Sequence, residues 1–194
     1  MPSGEITRIQ RSPTGPATVH VDGREWTRVP RAVARRLDLS EGQTHDLGRL
    51  RAEVDAAMAP SARERAYRLL AARERSRREL LRTLARDGYP ERVAEEVVAR
   101  LEDVGAVDDR RFAETLARSL AGLRGHGRSR VAHALLEAGV DDAVRQAVLD
   151  ACCPLQREDE RALRAAVVLA RTCAGRADRL AARLARRGFS TGAA

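Results

Sequence analysis

A pattern of apolar residues at helical spacing recurs about every 50 residues from Ser61 to the end of the chain. When two copies are aligned on a shared glycine, the apolar positions coincide: Gly88 with Gly139, Leu80 with Val131, Leu84 with Leu135, and Val97 with Val148. A third copy begins with Leu163, Ala166, Val167 and Ala170, and continues through Leu180, Leu184 and Gly188. This recurrence predicts helical repeats, each of which buries its apolar stripe against its neighbours.

Helix starts and ends within each copy are predicted by local signals. Ser61 with Glu64, and Ser76 with Glu79, have the spacing of capping boxes, in which both side chains bind free backbone donors at a helix start. Gly88 and Gly105 suit the left-handed turns that follow helices. These signals predict three helices per repeat. The third copy is expected to lack its last helix, because only five residues follow Phe189.

The first sixty residues have a different pattern. Residues 6–9, 17–21 and 26–29 alternate as strands do, and Asp22-Gly23 between two of them is a strong hairpin signal. Short helices are expected at 30–37 and 46–58, with Pro60 closing the unit.

The predicted fold is mainly α. Apolar residues make up 43% of the chain but aromatic residues only 3%, which favours thin helical layers built from Leu, Val and Ala. The predicted division is a small β-hairpin and helix unit at 1–60, three-helix repeats at 61–107 and 108–153, and a truncated third repeat at 154–194.

Charge alternates along these repeats. Residues 63–86 hold nine arginines and three acidic residues, which gives a net charge of +6. Residues 87–109 hold two arginines and eight acidic residues, which gives a net charge of −6. The next segments are +5 over 110–130, −4 over 131–159 and +6 over 160–194, while residues 1–62 carry only +1. Side-by-side stacking of equivalent helices would therefore produce a basic strip and an acidic strip.

The basic strip is interpreted as a phosphate-binding surface. Its candidate nucleic-acid-binding residues are Arg77, Arg78, Arg82, Arg86, Arg124, Arg128, Arg130, Arg179, Arg183, Arg186 and Arg187. The acidic candidates are Glu91, Glu95, Glu96, Asp108, Asp109, Asp141 and Asp142. Several of these acidic residues stand near helix starts, so capping is an alternative explanation of part of the acidic signal.

Catalytic and metal-binding patterns are not found in the sequence. The absence of lysine excludes a Walker A loop and Schiff-base chemistry, and no cysteine has an evident base partner. His133 with Glu137 is interpreted as a helix contact, and Gly125-His126-Gly127 as a flexible connection rather than a phosphate loop. The three cysteines are expected to be small buried residues. We therefore expect no enzyme activity, cofactor or metal, and no membrane span; the protein is expected to be a cytoplasmic monomer.

Four segments follow one another along the chain. They are Leu69-Leu70-Ala-Ala-Arg73 leading into Ser76-Arg-Arg-Glu-Leu80; Leu101-x-x-x-Gly105-x-x-Asp108-Asp109-x-x-Phe112-Ala113; Gly125-x-Gly127 with Leu135-Leu136-x-x-Gly139-Val140; and Arg186-Arg187-Gly188-Phe189-Ser190. Together and in this order, they resemble the RecX family, the regulators of the RecA recombinase. The resemblance covers about residues 63–190, and Val21-Asp22-Gly23 and Leu39-x-x-Gly42 resemble the N-terminal extension of longer members.

The resemblance implies tandem three-helix repeats that lodge in the groove of the RecA filament on single- or double-stranded DNA. They would restrain the recombinase and coprotease activities of RecA, and so modulate recombination, DNA repair and the SOS response. It implies no catalytic residues, and it makes the acidic candidates possible RecA contacts. The departure from the family pattern is the missing last helix of repeat three.

Two other classes of function remain open. Three short helices per unit also suit a helix-turn-helix DNA-binding regulator, although the helix that would enter the groove carries Glu91, Glu95 and Glu96. A helical protein-binding scaffold without nucleic acid is the other, and it should fail to bind random DNA at low salt.

Overall fold

The computed structural model describes residues 3–13, 15–171, 173 and 176–190. It divides into two compact units, residues 1–107 and 108–194. The first unit contains a small antiparallel sheet and a set of helices, and the second contains helices. The prediction of a mainly α fold, with three-helix repeats after a small N-terminal β unit, is confirmed.

The sheet of the first unit has four strands in the order β3-β2-β1-β4: β1 Ser3–Arg11, β2 Ala17–Val21, β3 Arg24–Val29 and β4 Thr44–Asp46. The predicted hairpin is confirmed, and Asp22 and Gly23 at its turn have φ of 50° and 78°. Ile9 pairs with Val19, which pairs with Thr27. Strand β4 was not predicted, because three residues are too few to show alternation.

Helix α1, Arg31–Arg36, follows the sheet, and α2, Leu47–Ala72, continues without a break through Pro60. The prediction that Pro60 closes a unit and that Ser61 starts a helix is therefore wrong. Proline removes one helical hydrogen bond, but the helix continues because residues on both sides of Pro60 are buried in one core: Ala57, Met58, Ser61, Ala62 and Ala66. The division of the chain into four segments stays a prediction, and α2 runs across the predicted boundary between residues 60 and 61.

The first repeat is completed by α3, Arg77–Arg86, and α4, Glu91–Asp103. The start predicted at Ser76 is confirmed, since its Oγ accepts a hydrogen bond from the Glu79 N–H at 3.1 Å. Of the apolar positions aligned between the repeats, Leu80 and Leu84 are fully inaccessible and Val97 is buried, whereas Ala85, also predicted to lie in the α3 stripe, is exposed. The three buried residues belong to the same hydrophobic cluster as Ile6 and Val19 of the sheet, so the first unit has one core.

The second unit begins with α5, Asp109–Arg118, which passes into a π-helical turn at Ser119–Leu123. Helices α6, Arg128–Glu137, and α7, Asp142–Cys152, complete the second repeat. Its core includes Phe112, Leu120, Val131, Leu135 and Val148, as predicted from the repeat. Cys153 is buried and Cys152 half-buried, both as free thiols.

The third repeat consists of a short 3-10 turn, α8 at Glu158–Ala170, and α9 at Ala177–Arg186. The stripe predicted for α8 is wrong. Its buried residues are Ala162, Ala165 and Leu169, while Leu163 and Val167 are 66% and 60% exposed. Both sides of this helix carry apolar residues, so periodicity alone could not select the buried one. The expected lack of a later helix concerns residues 191–194, which lie outside the described residues.

Candidate nucleic-acid interface

Helix α3 presents a row of three arginines, the α3 row: Arg78, Arg82 and Arg86. Their spacing of four residues places them on one side of the helix, and all three are exposed. The Ser76 cap and the buried Leu80 and Leu84 fix which side of α3 faces solvent. No ion pair joins Arg78 or Arg86 to another part of the chain that the structure describes.

Arg77, the fourth candidate in the first unit, has a structural contact. Its Nε lies 3.3 Å from Oε2 of Glu102, and both side chains are partly exposed. The pair joins α3 to α4, so Arg77 is less available to a ligand than Arg78 and Arg86. Nearby, burial and the charge of Arg73 lower the pKa of Arg75, whose Nε donates to the Leu69 carbonyl.

The acidic candidates of α4 are exposed beside a buried stripe. Glu91, Glu95 and Glu96 point away from the core face formed by Val93, Ala94, Val97, Val98 and Leu101. Glu96 pairs with Arg100 at 2.8 Å, a surface contact of small energetic value. α3 and α4 of one repeat therefore present opposite charges.

The four aspartate candidates have local roles at helix starts. Asp108 caps α5 by accepting from the Arg111 N–H at 2.9 Å, and Asp141 caps α7 by accepting from the Ala143 N–H at 2.9 Å. Asp109 and Asp142 lie in the first turns of those helices, and Asp142 pairs with Arg145. Capping and the helix dipole are thus sufficient to explain these residues, and no contact with another protein is required to explain them.

The arginine candidates of the second unit fall into two groups. Four of them, Arg124, Arg130, Arg179 and Arg186, are exposed. The other three are held by neighbours. Arg128 donates to the Cys153 carbonyl at 2.9 Å and to Asp150 at 2.6 Å, and its side chain is only 16% exposed. Arg183 lies 3.8 Å from Cys173 Sγ, and Arg187 donates to the Arg124 carbonyl at 3.3 Å.

The glycine pair at 125 and 127 joins the second repeat to the end of α9. The Gly127 N–H donates to the Arg187 carbonyl at 2.7 Å, and the Ser129 N–H donates to the Gly188 carbonyl at 3.2 Å. A Cβ at Gly127 would lie 2.2 Å from the Gly188 oxygen. This connection is a close backbone contact, rather than the flexible link expected from the sequence or a phosphate loop.

The second unit also contains a basic groove of about 540 Å³, which was not predicted from the sequence. It brings together Arg124 and Arg187 with Arg157, Arg161 and Arg164, and among the described residues no acidic side chain lines it. Arg161 donates to the His126 carbonyl at 2.6 Å. The spacing of Arg157, Arg161 and Arg164 could have revealed one basic side of α8, but the incorrect apolar stripe concealed it.

Among the described residues, no group of three or more His, Cys, Asp and Glu side chains could hold a metal ion. His133 and Glu137 form an exposed contact at 3.4 Å, as interpreted from the sequence. None of the helices described is long and apolar enough to cross a membrane.

The fold and its surfaces define a protein of tandem three-helix repeats that expose basic and acidic faces. The family model for the first three-helix domain of RecX matches residues 62–101, and that for the second matches residues 108–149. The regulatory protein RecX of Mycobacterium leprae is 40% identical over 134 residues, which cover 66% of this chain and 78% of that protein. The Thermobifida fusca protein of the same name is 38% identical, over 69% of this chain and 74% of its own length. The chain belongs to the RecX family of regulatory proteins.

Other matches cover less of the relative's length or have lower sequence identity. The match to RecX of Mycolicibacterium vanbaalenii, 46% identical, spans only 45% of that protein's length. A crystal structure of regulatory protein RecX superposes with a TM-score of 0.62 at 20% identity, covering 98% of this chain and 96% of the other. RecX from Lactobacillus salivarius gives a TM-score of 0.59 at 20% identity, covering 71% and 92%. At this identity the two structures support the fold.

Proposed function

We propose that this chain binds DNA and the RecA filament and restrains the activities of RecA. In this role it would modulate homologous recombination, DNA repair and the SOS response as a cytoplasmic monomer. It would act by binding rather than by catalysis, without cofactor or metal. Membership of a family of regulatory proteins supports the regulatory part of this proposal.

The observation that carries the proposal is the opposite charge of two neighbouring helices in one repeat. The α3 row offers guanidinium groups, which bind phosphate oxygens in pairs, while α4 exposes Glu91, Glu95 and Glu96. A ligand made of DNA and protein presents both phosphates and protein side chains. A surface with both signs of charge suits such a ligand better than a uniformly basic one.

The same observation argues against the helix-turn-helix alternative. The third helix of a repeat would have to enter the major groove, and in the first repeat that helix is α4. Its exposed carboxylates would be repelled by the phosphates that line the groove. A scaffold that binds only protein is tested separately, because it should not bind random DNA at low salt.

The test is a RecA ATPase assay on single-stranded DNA, with this protein added up to stoichiometric amounts. We expect ATP hydrolysis to fall as the protein is added. The variant Arg78→Glu, Arg82→Glu, Arg179→Glu, Arg186→Glu should bind free DNA more weakly and require a higher dose. These positions are exposed, so helical circular dichroism should be unchanged. An unchanged ATPase rate with the wild-type protein would overturn the proposal.

A further inference from the structure

A second basic groove, of about 780 Å³, lies within the first unit. One side is formed by the end of β1 and by α1, and the other by α2 and the end of α3. Its lining contains six arginines and only two aspartates. The arginines are Arg11, Arg31, Arg35, Arg65, Arg68 and Arg86. This groove was not predicted from the sequence, because residues 1–62 are nearly neutral as a whole.

The walls of this groove are held by close contacts. Gly88, at φ +94°, lies so near the loop after β1 that an added Cβ would be 2.5 Å from Pro16 Cβ. Arg31 Nη1 donates to the carbonyls of Ser12 and Pro13 in the same loop, at 3.4 and 3.3 Å. Both walls also share one hydrophobic core. The groove is therefore preformed, which reduces the entropy lost when a ligand binds.

Positive charge in the groove is only partly neutralised. Arg65 pairs with Asp87 at 2.7 Å, and Arg68 lies 4.0 Å from Glu64. Arg11, Arg35 and Arg86 are exposed, and none of them forms an ion pair within the described residues. Three guanidinium groups on separate elements thus remain available to an anionic ligand.

We propose that this groove binds the phosphodiester backbone of a nucleic-acid strand that also runs along the α3 row. The inference rests on the proposed DNA binding and extends it to the N-terminal β unit. Arg86 connects the two surfaces, because it is the last residue of the α3 row and also lines the groove. The only aromatic residue in the lining, Tyr89, is 4% exposed and cannot stack on a base. Binding is therefore to phosphates and tolerates any base sequence.

The test compares two variants of the full chain that remove the same charge from the same elements. Arg11→Gln with Arg35→Gln removes two arginines of the groove. Arg8→Gln with Arg36→Gln removes exposed arginines of β1 and α1 that do not line it. Binding of a labelled oligothymidylate is measured by fluorescence anisotropy over a range of salt concentrations, without RecA.

For the groove variant we expect the affinity for the oligothymidylate to fall about tenfold. The slope of log affinity against log salt concentration should become less steep by about 1.4, because each phosphate contact on a single strand contributes about 0.7 to that slope. The control variant should keep the wild-type slope. Equal losses in both variants would mean that only net charge matters, and would overturn the inference. If the groove variant keeps the wild-type salt slope but binds polyglutamate more weakly than the wild-type protein does, the groove binds an acidic protein segment instead of DNA.

A third variant, Arg78→Gln with Arg82→Gln, separates this inference from the proposed function. If it weakens DNA binding while the groove variant does not, the inference is wrong and the proposed DNA binding stands. If neither variant changes DNA binding, the inference is wrong and the first unit has no part in DNA binding.

Discussion

Gly127 lies at a close backbone contact between the second and third repeats. Its backbone is not in the left-handed region, so the requirement for glycine is the space for a Cβ, which would meet the Gly188 carbonyl at 2.2 Å. We predict that Gly127→Ala lowers the free energy of unfolding by about 2–4 kcal/mol, because the chain must shift and weaken the hydrogen bonds to residues 187 and 188. Urea unfolding followed by circular dichroism measures this change.

The control for this prediction is Gly122→Ala in the π-helical turn before the loop. A Cβ there would meet nothing within 4 Å, so stability should stay the same or rise by up to about 1 kcal/mol. A phosphate-binding role for the glycines predicts a different result for Gly127→Ala, with DNA binding lost and stability retained.

His126, between these glycines, should make stability depend on pH. Burial first, and then the charges of Arg187, Arg130 and Arg124, lower the pKa of His126 from its ordinary value of 6.5. The unfolded chain therefore takes up the proton more readily than the folded one. The favourable contribution is complete above about pH 6.5, and it is lost as the pH falls through the folded pKa.

We predict that His126→Gln reduces the loss of stability between about pH 7.5 and about pH 5, compared with the wild-type protein. Urea unfolding midpoints at a series of pH values provide the measurement. His133→Gln, which removes an exposed histidine of the same unit, is the control. If the unfolding midpoints of the wild-type protein and of His126→Gln change in parallel with pH, burial of this imidazole has no consequence for folding.

At the scale of elements, the continuity of α2 through Pro60 depends on contacts distant in sequence. Ser61 Oγ lies 2.8 Å from Tyr89 Oη, and both residues are buried. A serine that started a helix would instead bind a backbone N–H within its own first turn. Burial raises the pKa of Tyr89, an effect opposed by the hydrogen bond to Ser61.

We predict that Ser61→Ala lowers the free energy of unfolding by about 1–2 kcal/mol, because the Tyr89 hydroxyl is left buried without its partner. Tyr89→Phe should have a similar effect. The double variant should lose less than the two single losses combined, which a double-mutant cycle measured by urea unfolding would show. Additive losses would indicate that the two hydroxyls act independently, as a capping role for Ser61 requires.

Local signals predicted the elements that local chemistry determines. The Asp22-Gly23 hairpin, the Ser76 cap and the stripes of α3 and α4 were predicted from neighbouring residues. Packing across the chain determined the rest. It holds α2 in one piece through Pro60, pairs the short β4 with β1, and buries Ala162 and Ala165 rather than the larger Leu163.

The candidate site was predictable to a similar extent. Exposure of the α3 row follows from its position opposite the apolar stripe. The ion pair of Arg77 and the hydrogen bonds of Arg128 could not be predicted, since their partners lie 22 or 25 residues away in sequence. Both basic grooves likewise combine arginines from elements that only the fold brings together.

For the whole molecule, the net charge of +8 arises from segments that alternate between basic and acidic along the sequence. The aspartate candidates have local roles as caps, so the acidic surface that remains unexplained by local structure is that of α4. Glu91 and Glu95 form no ion pair with any described residue. If α4 contacts RecA, reversing its charge should affect filament binding and leave binding to free DNA intact or strengthened.

The decisive variant is therefore Glu95→Arg with Glu96→Arg, compared with Glu53→Arg with Asp55→Arg on α2. Each pair combines one acidic residue that forms no ion pair among the described residues with one that pairs with an arginine four residues away, so their effects on charge and helix stability should match. We predict that the α4 variant binds free DNA at least as tightly as the wild-type protein but needs about a tenfold higher dose to inhibit the RecA ATPase, because a loss of about 1.4 kcal/mol in filament contacts changes affinity tenfold. Both variants must be measured at one ionic strength, since screening alters both interactions. Inhibition by the α4 variant at the wild-type dose would show that the acidic surface serves solubility alone, and that RecA is contacted elsewhere.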